Sequence, residues 1–174
     1  MTDKSLQNQL LGITAVASDY CVALENARPM EKSEFVTEVL NALPRLYWEF
    51  SDLQIEDDSL MNEFDYFPSY VDEDFYDSIR RNVESVLGPD DVFLETFEED
   101  MKYSDTPIAA SISECLADIF QPLYNFLSVV KDSEGEQAAA AFRECKENFE
   151  SYWSQTLCNV MRALNYLRYN QNQE

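Results

Sequence analysis

The sequence contains no histidine. That absence removes the commonest general base, the Ser-His and Cys-His nucleophile pairs, and nearly every imidazole metal site. It also removes the Glu-x-x-His pattern with which helical bundles hold a di-iron centre. Glycine occurs only 3 times, which argues against a loop-rich β protein and against a glycine loop that cradles phosphate. The four cysteines, Cys21, Cys115, Cys145 and Cys158, never stand at a Cys-x-x-Cys spacing, so reduced thiols are expected rather than a metal site or disulfides. No apolar run reaches the length of a membrane span, and the first ten residues lack the apolar stretch of an export signal. A cytoplasmic protein with no membrane contact, no cofactor, no metal and no catalytic set is the expectation.

Cations are scarce as well. Lys and Arg number 12 against 34 Asp and Glu, a net charge of −22, and such a surface repels nucleic-acid phosphate and anionic lipid while favouring basic partners. Seventeen of the carboxylates and only three cations fall between Ile55 and Asp105, a net of −14 that leaves −8 for the other 123 residues. Nine aromatics interleave there, from Phe64 to Tyr103. This stretch reads either as a solvated face with aromatics that pin loops, or as a docking platform whose carboxylates include Asp57, Asp58, Asp72, Glu73, Asp74, Asp77, Glu98, Glu99 and Asp100. Asp72, Asp74 and Asp77 lack the glycine and closing Glu of a calcium loop.

What is abundant is helical periodicity. Leu6, Leu10, Ile13, Ala17, Tyr20, Leu24 and Ala27 alternate by fours and threes, predicting a helix over 5–27. Pro29 ends it, and Ser33 is placed to cap a second helix over 34–53 that Pro44 should kink near Leu40. Asp72 can cap a third, with Glu73 and Asp74 at its positive end and Gly88-Pro89 at its close. The flanking stretches 55–70 and 90–103 read as irregular connections. Thr106-Pro107 opens a fourth helix, whose stripe runs from Ile108 through Ile112, Leu116, Ile119, Leu123 and Phe126 to Val130. Pro122 in it leaves the Asp118 carbonyl without its helical partner.

The last segment, 133–170, reads as one long helix with a capping box at Ser133 and Glu136. Its stripe is Phe142, Cys145, Phe149, Trp153, Leu157, Val160, Leu164 and Leu167, while Cys158, Met161, Tyr166 and Tyr169 lie off it. A helix apolar over most of its circumference is expected to be surrounded by others, so its C-terminal half is placed at the centre of the bundle. The fold expected is therefore all-α: a single domain, 1–174, of about five main helices, with a long central C-terminal helix and an acidic, partly irregular middle.

The run Ser111-Ile112-Ser113-Glu114-Cys115-Leu116-Ala117-Asp118-Ile119-Phe120, followed by Phe149-Glu150-Ser151-Tyr152-Trp153 and Asn159-Val160-Met161-Arg162-Ala163-Leu164, resembles an uncharacterised bacterial family, domain of unknown function 5063. The Gly88-Pro89-Asp90 turn fits the same resemblance. The family pattern places Gly at Ser154, and His in many members at Tyr152, Thr156 and Asn165, so a role resting on imidazole is closed to this chain. The resemblance implies an all-helical, cytosolic bacterial protein and assigns no activity.

Three functional classes stay open. The first is a non-enzymatic module that binds a basic or amphipathic protein surface through 55–105. The second is an anion binder or carboxylate-based enzyme with a polar pocket between helices 108–131 and 134–170, formed by Asp118, Trp153, Asn159 and Arg162. The third is a nucleic-acid mimic, suggested by charge alone. Arg162 itself reads as a solvated cation whose stem covers apolar surface, or as a buried partner for a carboxylate.

Overall fold

A computed structural model describes residues 3–55, 67–95, 102, 103 and 106–170. The chain runs through helix α1 (Asp3–Glu25), α2 (Lys32–Asp52), α3 (Glu73–Leu87), a 3₁₀ turn (Gly88–Asp91), strands β1 (Val92–Glu95) and β2 (Ile108–Ser111), α4 (Ile112–Asp132) and α5 (Ala138–Asn148). A π turn (Phe149–Trp153) then leads into α6 (Ser154–Asn170). Helix α4 sits between α1, α3, α5 and α6, and α2 packs on α1 and α6. The apolar stripes are the faces that meet: Ile13, Ala17, Tyr20 and Leu24 on α1, Val39, Leu43, Leu46 and Phe50 on α2, and Leu116, Ile119, Phe120 and Leu123 on α4 are all buried. Phe50 is the hub of an aromatic group, its ring centroid 5.1 Å from Phe142, 5.7 Å from Phe149 and 4.9 Å from Trp153. Burying such rings contributes about 2–3 kcal/mol each, with about 1 kcal/mol more per edge-to-face pair.

Several boundaries differ from expectation, each for a local reason. Helix α2 begins at Lys32 after Glu31, with no side-chain cap, so Ser33 lies in its first turn, where its carbonyl accepts from Thr37 Oγ1. The helix runs through Pro44 unbroken. Pro107 does not open α4. The β-branched Ile108 and the small residues after it pair antiparallel with β1, in the register Val92↔Ser111 to Glu95↔Ile108, and Ser111 caps α4 by accepting from the Glu114 amide. So 90–103 is not wholly irregular. Asp91 is buried behind this start and accepts from the Ser113 amide at 2.7 Å and from the Ser111 and Ser113 hydroxyls at 2.8 Å.

Ser133 belongs to the end of α4 and opens no capping box. Its Oγ donates to the Val129 carbonyl and accepts from the Gln137 amide, and the turn is made by Glu134 and Gly135 at φ 52° and 87°. Gly135 is the residue that tolerates this conformation, and its amide closes on the Val130 carbonyl.

The final rod is long, as expected, but the burial of its two halves is reversed. Phe142, Cys145, Phe149 and Trp153 are enclosed, whereas α6 buries one stripe only, Leu157, Val160, Leu164 and Leu167. Cys158, Arg162, Tyr166 and Tyr169 face outward. Tyrosine made this reading possible from the sequence, because its ring counts as apolar while its hydroxyl tolerates water.

Candidate functional site

The π turn shapes the polar chemistry. Inserting one residue makes the Ser154 amide bond the Phe149 carbonyl, five residues back, and turns Tyr152 toward α4. There the Asp118 carboxylate accepts from Tyr152 Oη at 2.9 Å and from Tyr76 Oη of α3 at 2.7 Å. Burial, then the Asp118 carboxylate, pushes the Tyr152 phenol up to about 12 and raises that of Tyr76 as well. Burial also holds the neighbouring Cys115 thiol up to about 12, reinforced by Glu95, Asp118 and Glu114. The two phenols and the thiol keep their protons near neutrality, so the cluster ties α3, α4 and the π turn together and offers neither a thiolate nor a phenolate nucleophile.

The four residues expected to share a pocket are not gathered. Asp118 is held by the two tyrosines, and Trp153 is fully buried with its Nε1 donating to the Cys145 carbonyl at 3.4 Å. Asn159 and Arg162 lie together in a different place, a groove of about 520 Å³ between α6 and the hairpin. Pro89, Val92, Phe93, Leu94 and Tyr166 supply its apolar wall, and Asp90 and Glu95 its carboxylates. Arg162 is exposed. Val92, Leu94 and Tyr166 around the groove are 64%, 59% and 65% exposed. Sequence reasoning missed this face because it assigned Ile108 to a helix, which hid the hairpin.

A polar pocket does lie between α4 and α5, built from other residues. About 240 Å³ is enclosed by Pro122, Asn125, Phe126, Glu144, Cys145 and Asn148, with Phe67 to Ser69 across its mouth. Cys145 Sγ donates to the Pro122 carbonyl at 3.6 Å. Burial, with repulsion from Glu147, raises the Glu144 carboxyl.

Of the carboxylates named for docking, Asp57, Asp58, Glu98, Glu99 and Asp100 lie outside the described residues. Asp72 caps α3 by accepting from the Phe75 amide, and Asp77 pairs with Arg80 at 2.9 Å and Arg81 at 2.6 Å. Glu73 and Asp74 are exposed. A buried cation that the sequence did not single out stands on α5. Lys146 Nζ donates to the carbonyls of Phe50 at 2.9 Å and Leu53 at 2.8 Å, which ends α2 with a positive charge at its negative pole. All four cysteines are free thiols, Cys21 and Cys145 buried and Cys158 exposed. Among the described residues no group of His, Cys, Asp or Glu is placed to hold a metal, and no helix is long and apolar enough to cross a membrane.

A family model described as a domain of unknown function (DUF5063) matches residues 4–170. The crystal structure of protein BF1032 from Bacteroides fragilis is similar over 95% of this chain and 96% of that one, at 32% identity and a TM-score of 0.81. No curated protein matches.

Proposed function

We propose, on the premise that the chain belongs to the DUF5063 family, that it is a non-enzymatic cytoplasmic interaction module that docks an amphipathic protein surface on the face formed by α6 and the β1–β2 hairpin. The observation that carries this reading is the outward set Val92, Leu94, Tyr166 and Tyr169, gathered on one face beside a ready groove. The absence of histidine and the pairing of Asp118 with the protonated phenols of Tyr76 and Tyr152 favour binding over catalysis. The test is affinity capture from a bacterial lysate with the wild-type chain and with Leu94→Asp and Tyr166→Glu, each checked for unchanged helicity. Association that the wild type shows and both variants lose is the expected result. Absence of any association, with itself or another protein, that these variants weaken would overturn it.

A second reading, a small-molecule binder, is favoured by the cavity between α4 and α5, where the Glu144 carboxyl, its pKa raised, lines the wall with the side chains of Asn125 and Asn148. A ligand-observed NMR fragment screen, repeated on Asn148→Leu, decides it: hits lost in the variant support the pocket, and no hits end the idea.

A further inference from the structure

We infer that the α6–hairpin face is covered in solution by the same face of a second copy of this chain, in a weak two-fold symmetric dimer. This rests on the interaction reading above and names the partner. Helix α6 carries Arg162 and Arg168 and no carboxylate, so Ser154–Asn170 has a net charge of +2 in a chain of −22, and the remainder carries −24. Two such molecules repel one another almost everywhere, over a screening distance of about 8 Å at physiological salt. A contact centred on α6, the one carboxylate-free helix among the described residues, keeps the acidic surfaces apart. A strongly basic partner gains nothing there and is drawn instead to the acidic remainder. A surface that is aromatic, nearly neutral and set in an acidic molecule is matched by its own copy.

The face is also self-complementary in shape and sign, as a two-fold contact requires. A ridge of outward residues, Cys158, Arg162, Tyr166 and Tyr169, recurs by fours and threes along α6. Beside it runs the groove walled by Val92, Phe93 and Leu94, with the half-exposed Asp90 at its margin. A two-fold axis seats the ridge of one copy in the groove of the other. It also brings Arg162 of each toward the Asp90 edge of its mate, in addition to the partners each has within its own chain. The contact is small. A helix of this length is about 25 Å long and about 10 Å across. Even with the hairpin it stays under the roughly 800 Å² per partner of a standard interface, the size class of weak, transient contacts.

The test is analytical ultracentrifugation of the full chain from about 1 to about 500 µM, at low and high salt. The expected result is a monomer that converts to dimer with concentration, more readily at high salt, where the −22 charges are screened. Leu94→Asp and Tyr166→Glu should each raise the dissociation constant tenfold or more, while Trp48→Glu, an equally exposed aromatic on α2, should leave it unchanged. A monomer at every concentration and salt overturns the inference, as does a dimer indifferent to Leu94→Asp and Tyr166→Glu or broken by Trp48→Glu. Should the chain stay monomeric while the same two variants still abolish capture of a different protein, the inference falls and the interaction reading stands.

Discussion

At the scale of single residues, protons are held rather than released. Tyr152 gains in the folded state both the cover of its neighbours and the Asp118 carboxylate, which resists a second negative charge beside it. The unfolded phenol ionises near 10 and the folded one at about 12, so the folded state binds the proton more tightly. The stability Tyr152 contributes is complete below about pH 10 and is lost as pH rises toward 12. Absorbance titration of phenolate should show a component that lags beyond pH 11 in the wild type. Asp118→Asn should bring it down, though not fully to the ordinary value, because the cover remains. The thiols follow the same logic: burial raises Cys21 and Cys145, and Cys115 stands at about 12. Maleimide labelling of the native protein at neutral pH should therefore modify one cysteine quickly, Cys158, and Cys158→Ser should remove that fast phase.

At the scale of elements, regular periodicity was legible and the junctions were not. The stripes of α1 and α4 bury Leu10 to Ala27 and Ile112 to Phe126 as named, with Leu6 and Val130 only partly covered and Ile108 lost to the hairpin, because threes and fours have one meaning when several helices share one core. The signal failed where two local rules competed. Ser133 with Glu136 has the spacing of a helix start, yet Gly135 two residues on is a stronger instruction to stop, and the glycine prevailed. Thr106-Pro107 looked like an opening, but Ile108 to Ser111 had a strand waiting, and Asp91 had caps to give to Ser113. The π turn left no mark at all, since an extra residue between Phe149 and Trp153 preserves their spacing of four. The supposed polar pocket failed for the same reason. Helical registers place residues on faces, and only the tertiary crossing decides that Asp118 meets tyrosines while Arg162 meets the hairpin. The end of α2 carries a prediction of its own. Lys146→Met keeps the aliphatic stem but strips two buried carbonyls of their charged donor, so a loss of about 2–3 kcal/mol in urea unfolding is expected. Trp153→Ala, which empties the centre of the aromatic group, should cost about 3–5 kcal/mol.

At the scale of the molecule, charge and packing oppose each other. A net −22 on 174 residues makes the compact state repel itself, and helix packing around one core overcomes it. Raising sodium chloride from low to moderate concentration should therefore raise the melting temperature, by about 2–4 °C for each kcal/mol of repulsion screened. A fold held by surface ion pairs would respond in the opposite direction, so differential scanning calorimetry at two salt concentrations separates the two accounts. The concentration of carboxylates in the middle of the chain was plain from the sequence. That the C-terminal helix would be the carboxylate-free exterior was not, since it was read as interior.

The lysine at 146 has one more consequence, for the order in which the molecule can be made. The finish of the second helix is supplied by a chain position more than ninety residues downstream. As the polypeptide leaves the ribosome, the stretch near residues 50–53 must wait unfinished until most of the chain has followed. A fragment cut after the second helix should fray at that end, and adding the missing remainder in trans should mend it.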